Sequence, residues 1–182
     1  MADIETLGTK SDSTIFQIAA IAFDIKTGDH ISKFNRIANI EENDEMNVTG
    51  STLVWWLNTN KELFTNLLNS GEGSSTKLLI DFQSWLMDLT NLGELYLWGN
   101  GILFDNKMIQ HQLESIGIYY PIHYKNDRDL RTLVDLASAK LGVTEKELKQ
   151  HFKDDSLVKH DAFDDVRYQI NLAVSCYNLL TQ

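Results

Sequence analysis

Asp3-Ile4-Glu5-Thr6, inside the N-terminal run MADIETLG, places two acids two positions apart in a short extended segment. Side chains alternate across a strand, so Asp3 and Glu5 share one face and Ile4 takes the other. Alone, the pair reads as ordinary surface acids. Two later acids and a histidine change that: Asp105 in WGNGILFDN, and Asp165 in KHDAFDDVR with His160 five positions before it. Hard divalent cations take oxygen ligands, and magnesium sites use few carboxylates, with substrate phosphate and water completing the shell. Two such ions about 3.5–4 Å apart activate a water and stabilise the leaving oxygen of a phosphodiester. A histidine can take that water's proton near neutral pH.

Working outward, Ile15–Ile25 is rich in Ile, Phe and Ala but alternates poorly. Lys26-Thr27-Gly28-Asp29 is a turn signal and Ile31–Ile40 resumes the apolar pattern, so the segment predicts a hairpin. Leu53, Trp56, Leu57, Phe64, Leu67 and Leu68 recur at helical spacing, predicting one helix over Thr52–Leu68. Ser70–Ser75 reads as a flexible loop, and Leu78–Leu89 as an amphipathic helix. Leu95–Trp98 reads as a short strand closed by Gly99-Asn100-Gly101. Helices follow over Phe104–Ile116, stopped at Gly117, and over Leu130–Leu141, stopped at Gly142. Thr144 with Glu147 forms a capping-box pattern for the next helix. The last helix covers Ala162–Leu180, with Ala162, Val166, Ile170, Ala173, Tyr177 and Leu180 as its apolar stripe. Asp165 stands at the border of that stripe, where burial is costly unless a metal compensates it. Asp161, Asp164 and Arg167 read as solvated neighbours. The order of elements predicts one α/β domain over residues 1–182, without linker or repeat.

A chain of 182 residues has room for a sizeable core, and 43% hydrophobic against 23% charged residues is the balance of a globular protein. No apolar run is long enough to span a bilayer, and the acidic start is unlike a signal peptide. The single cysteine, Cys176, excludes an intrachain disulfide and reads as a packing residue; a reducing cytosol is the expected home. The net charge of −10 argues against gripping long duplexes through the overall field. It leaves room for an enzyme that holds a short substrate end at bound cations.

Together the motifs resemble the DEDDh group of 3′-5′ exonucleases, the RNase T-like branch of the ribonuclease H-like fold, over nearly the whole chain. D-x-E-T is met by Asp3, Glu5 and Thr6, F-D by Phe104-Asp105, and H-x-A-x-x-D by His160, Ala162 and Asp165. DIETLG, the Trp55-Trp56 pair, WGNGILFDN and NDRDLRT look closest to the phage exonuclease A (DexA-like) and mycobacterial exoribonuclease subfamily. The resemblance implies a central mixed sheet with an N-terminal hairpin, flanked by helices. It implies two divalent cations, Mg²⁺ or Mn²⁺, and 3′ ends of RNA or single-stranded DNA as substrate, with RNA favoured and nucleoside 5′-monophosphates released. Relatives also suggest a homodimer.

On the same resemblance, Asp3 would bridge both metals, Glu5 and Asp165 would bind the one carrying the attacking water, and Asp105 would hold the second. His160 would be the general base. The backbone at Thr6 and Leu7 would meet the 3′-terminal nucleotide, with Leu7 as an apolar wedge against its base. Trp55, Trp56, Asn100, Phe104, Asp127, Arg128 and Arg131 take substrate or scaffold roles. Two departures are visible: only Met1 and Ala2 precede Asp3, and Asn100 to Phe104 is longer than the N-x-x-F-D of many relatives.

The residues themselves leave alternatives. Of the adjacent tryptophans one belongs in a core and the other can stack a base. Arg128 and Arg131 can meet phosphate or pair with Asp127, Asp129 or Asp135. A haloacid-dehalogenase-type phosphohydrolase uses D-x-D, and here the second acid is Glu5. A catalytically weak nucleic-acid-binding module on the same fold is the remaining reading.

Overall fold

The computed structural model describes residues 1–182. Three strands, β1 (Ala2–Thr6), β2 (Ile15–Phe23) and β3 (His30–Ile37), form an antiparallel sheet in the order β1-β2-β3. The β2–β3 hairpin closes where Asp24 Oδ1 accepts the amides of Lys26 (2.7 Å) and Thr27 (3.0 Å). The poor alternation of β2 has a simple cause: it is the middle strand, and all of it but Phe23 is buried.

The seven α-helices are α1 (Gly50–Thr59), α2 (Lys61–Asn69), α3 (Ser75–Thr90), α4 (Asp105–Ser115), α5 (Leu130–Leu141), α6 (Glu145–His151) and α7 (Ala162–Thr181). They cover both sheet faces. On one, Ile4, Ile18, Ala20 and Phe34 pack with Phe82 and Leu86 of α3 and Ile109 and Leu113 of α4. On the other, Ala19 and Ile21 pack with Leu130 and Val134 of α5 and Val166, Ile170 and Cys176 of α7. Asp3 is paired with Ala19 and Glu5 with Gln17, so both acids face α7. No helix is long and apolar enough to cross a membrane.

Three expectations change. The sheet is not one mixed sheet: β4 (Leu97–Gly99) and β5 (Asp127–Asp129) form a separate parallel pair beside β1. Each has three residues, and β5, Asp-Arg-Asp, carries no apolar pattern to betray a strand. The helix predicted over Thr52–Leu68 is two helices. Asn60, at φ −155° and ψ 77°, ends α1 through its amide to the Trp56 carbonyl (3.1 Å). Its side chain then caps α2 by accepting the Leu63 amide (3.1 Å). The Ser70–Ser75 loop is tied down by Asn39 N to Gly73 O (2.7 Å) and Glu72 N to Ile37 O (2.9 Å). A Cβ at Gly71 would run into the Ala38 carbonyl, so this glycine answers a close approach of two backbones.

Candidate active site

Glu5 sits on the α7-facing side of β1 just before a bulge in the β1–β2 register, and is only 8% exposed. Asp165 comes from the first turn of α7, which Asp161 caps by accepting the amides of Phe163 (3.0 Å) and Asp164 (3.2 Å). Gln17, fully buried on β2, accepts the Ala162 amide (3.3 Å) and so seats this helix start against the sheet. His160 is the one non-glycine residue at positive φ (67°), and its amide donates to Asp165 Oδ2 (3.0 Å). Left-handed backbone at a non-glycine residue is uncommon, histidine being among the residues that adopt it more readily, and it persists where surrounding bonds hold it. Here the turn brings the imidazole over the acids: ligand atoms of Glu5, His160 and Asp165 all lie within 4.8 Å of one another.

Asp105 enters from the start of α4, beneath the turn in which Gly101 O accepts the Phe104 amide (2.8 Å). It is 5% exposed. Burial pushes its carboxyl up to about 7, against the pull of its own amide, the Ile4 amide and the Arg131 charge. Asp3 is raised well above the carboxylate range, first by burial, then by the Asp105 charge. Gln169 Nε2 opposes that shift by donating to Asp3 Oδ1 (2.7 Å). Glu5 is raised well above its usual range by burial and then by Asp3, Asp165 and Asp105. Burial also raises Asp165, with the His160 amide opposing. All four acids are made costlier to ionise by dry surroundings, and Asp3 and Glu5 also by their companions. Cations with oxygen preference would remove that cost, and the donor set of carboxylates with one imidazole fits them.

Beside the acids opens a cleft lined by Ile4, Glu5, Thr6, Thr52, Trp55 and Phe104. Trp55 is 42% exposed and meets the His160 ring edge-on at 4.8 Å. Trp56 is 1% exposed, stacked on Phe64 at 5.0 Å, with its indole N–H donating to the Thr6 carbonyl (3.1 Å). Trp56 is therefore a core residue, and Trp55 is the tryptophan whose ring is exposed in the cleft. Leu7 is likewise a correction: at 3% exposed it packs with Phe16, Trp56, Phe64 and Leu67, so its side chain is no wedge. The Leu7 amide and carbonyl are already engaged by Thr14 O (2.9 Å) and Thr49 N (2.8 Å), and the Thr6 hydroxyl donates to Gly8 O (2.6 Å).

Arg131 lies against Gly101 and biases Asp105 toward its charged form, whereas Asn100 occupies the turn after β4. Arg128 stacks on Tyr96 (4.3 Å) and donates from Nη1 to the carbonyls of Lys125 (2.8 Å) and Asp127 (2.9 Å). It is committed to holding a loop. Neither arginine makes an ion pair with Asp127, Asp129 or Asp135; Asp127 instead accepts from Asn106 Nδ2 (2.7 Å) and Asp129 caps α5. Asp161 and Asp164 are not idle solvated acids either, since Asp164 accepts the Val158 amide (3.0 Å) and pairs with Arg167 (3.1 Å). Sequence reasoning missed Gln169 and Gln17. Gln169 carried a signal: a polar residue one turn beyond Asp165, inside the apolar stripe of α7.

The family model of the 3′-5′ exoribonuclease Rv2179c-like domain matches residues 1–177. The chain belongs to this family. Of the two relatives its motifs suggest, the match is to the exoribonuclease rather than to the phage exonuclease A. No curated protein sequence matches this Rv2179c-like domain. Among solved structures it is similar to the crystal structure of cell-death related nuclease 4 (CRN-4), with a TM-score of 0.66 at 15% identity. That alignment covers 97% of this chain and 63% of the other, so the Rv2179c-like chain spans less than two thirds of that protein's length. At this identity the likeness is one of fold.

Proposed function

We propose that residues 1–182 act as one ribonuclease H-like exonuclease domain that removes nucleotides from the 3′ end of single-stranded RNA. One observation carries the reading: Glu5 from a strand, Asp165 from a helix and His160 from a strained turn converge within 4.8 Å, with Asp3 and Asp105 in the same field. Asp3, Glu5, Asp105 and Asp165 would hold two divalent cations, Mg²⁺ or Mn²⁺, which when bound supply a lowered water pKa and charge stabilisation at the leaving oxygen. His160 accepts the proton of the attacking water as its oxygen bonds to phosphorus. The bond from phosphorus to the preceding 3′ oxygen breaks, that oxygen takes a proton from solvent, and the products are a nucleoside 5′-monophosphate and a chain one nucleotide shorter with a 3′-hydroxyl. The Trp55–Phe104 cleft takes the terminal base and sugar against aromatic walls. Arg131 favours the ionised form of Asp105.

The test is a cleavage ladder with 5′-labelled RNA, single-stranded DNA and duplex DNA, in Mg²⁺ and in Mn²⁺. Stepwise shortening of RNA from its 3′ end, abolished by EDTA, is the expected result. Tight binding without product in saturating Mn²⁺ would replace this reading with that of a binding module.

A further inference from the structure

A second groove, which includes His160 and Asp165 in its lining and shares no residue with the Trp55–Phe104 cleft, is walled by Lys146, Lys149, Lys153, Lys159 and Tyr168. We infer that this groove carries the 5′-ward backbone of a bound single-stranded RNA, and thereby sets the direction in which the chain runs across the site. The inference rests on the exonuclease reading for the place of the scissile phosphate and deepens it.

Lysines without an ion-pair partner distinguish the two openings. The cleft offers Ile4, Thr6, Trp55 and Phe104, with no lysine or arginine, which suits a base and sugar. The groove holds four lysines drawn from fourteen consecutive residues of a chain whose net charge is −10, together with four acids, Glu145, Asp154, Asp155 and Asp165. Two of them are neutralised within the protein, Lys149 by Glu145 (2.7 Å) and Lys153 by Asp155. Asp154 is occupied by the Ser156 amide (2.9 Å) and hydroxyl (2.7 Å). Lys146 and Lys159 make no ion pair and are exposed, and the Lys159 charge reaches Asp165. A strand cut at its end has one nucleoside beyond the scissile phosphate and every other phosphate on the opposite side. Volumes agree with that asymmetry: about 790 Å³ for the groove against about 480 Å³ for the cleft. Tyr168, whose hydroxyl donates to the Lys149 carbonyl (3.1 Å), is held in place as the groove's aromatic wall.

The experiment is fluorescence anisotropy with labelled RNAs of two to ten nucleotides, with Ca²⁺ in place of Mg²⁺ to suppress turnover. Wild-type affinity should rise with length. The K146E/K159E double variant should lose roughly tenfold for the ten-mer. Its salt dependence should flatten by about 1.4 in log–log slope, as expected when two phosphate contacts of a single strand are lost. A K26E/K61E variant, with the same change in net charge, should stay close to wild type. Equal losses in the two variants overturn the inference. Direction is read by photo-crosslinking: 4-thiouridine at the third or fourth position from the 3′ end should label peptides within residues 146–159. Labelling of those peptides by the terminal nucleotide alone reverses the direction and overturns it. RNA held in the groove but never shortened in Mg²⁺ removes the exonuclease reading and leaves the groove standing. Absence of RNA binding removes both.

Discussion

Gln169 Nε2 donates to Asp3 Oδ1 at 2.7 Å, from a side chain 4% exposed whose own Oε1 has no partner. The bond crosses from α7 to β1 and fixes which oxygen of Asp3 remains open to the site. It also pulls Asp3 toward its charged form, against burial and the neighbouring acids. Partners of this kind orient ligands and tune their basicity, and losing one typically costs about 10–100-fold in metal affinity or activity. Gln169→Leu should therefore raise the Mg²⁺ concentration for half-maximal cleavage by about that factor. The acidic limb of the pH–rate profile should also move to higher pH, because Asp3 without the bond holds its proton longer. A variant with a lower Tm but an unmoved acidic limb would make Gln169 a packing residue only.

The history of Gln169 shows where the sequence stops being legible. Asp3, Glu5, Asp105, His160 and Asp165 are visible because short motifs carry them, and most helices because apolar spacing does. Gln169 works by one hydrogen bond across the fold and Gln17 by two, and a glutamine has no spacing that announces its partner. The break at Asn60 hid because apolar spacing continues through a corner when both helices bury the same side. β5 hid because Asp127–Asp129 forms a strand on the strength of its β4 neighbour, not of its own side chains. Leu7 is ambiguous in the sequence for a related reason: an apolar residue beside a site fills either a core or a substrate pocket, and only Phe16, Trp56 and Phe64 around it decide.

The adjacent tryptophans separate stability from binding. Trp56→Ala empties a fully buried site beside Phe16 and Phe64 and strands the Thr6 carbonyl. Such truncations cost about 3–5 kcal/mol, on the order of 10 °C in Tm for a chain of this size. Trp55→Ala removes an exposed ring and should leave Tm within a few degrees. It should raise KM for RNA by about tenfold, the loss of one stacked base. Thermal melts and steady-state kinetics on both variants check this, and a lowered Tm without a KM change in Trp55→Ala would remove it from the cleft.

The acids and the histidine should differ in kind. Asp3→Ala or Asp165→Ala should abolish release of nucleotides, since each would leave the proposed cation pair short of an oxygen ligand. His160→Ala should retain residual cleavage, slowed by roughly 10²–10⁴. Single-turnover rates on 5′-labelled RNA measure all three, and full activity in any of them contradicts the assignment of that residue.

Folding stability without cations should fall as pH rises. Asp105 has its carboxyl pushed up to about 7 when folded, against an ordinary value of 3.8. Between those values the folded chain holds a proton that the unfolded chain has released, so stability drops through this window. Asp3 and Glu5, raised by burial, pull the same way. The Met1 amine pulls oppositely, because burial lowers it to about 5 and the unfolded chain then binds the extra proton. Comparison of wild type with Asp105→Asn cancels the Met1 contribution, which both share. In EDTA, the Tm of wild type minus that of Asp105→Asn should therefore decrease by several degrees from pH 5 to pH 8. Mg²⁺ at pH 8 should restore wild type more than the variant, since a ligand that binds only the folded state adds its binding free energy. A difference that stays constant with pH in EDTA would mean that Asp105 titrates alike in the folded and unfolded chains, and that its buried charge is compensated by the protein alone.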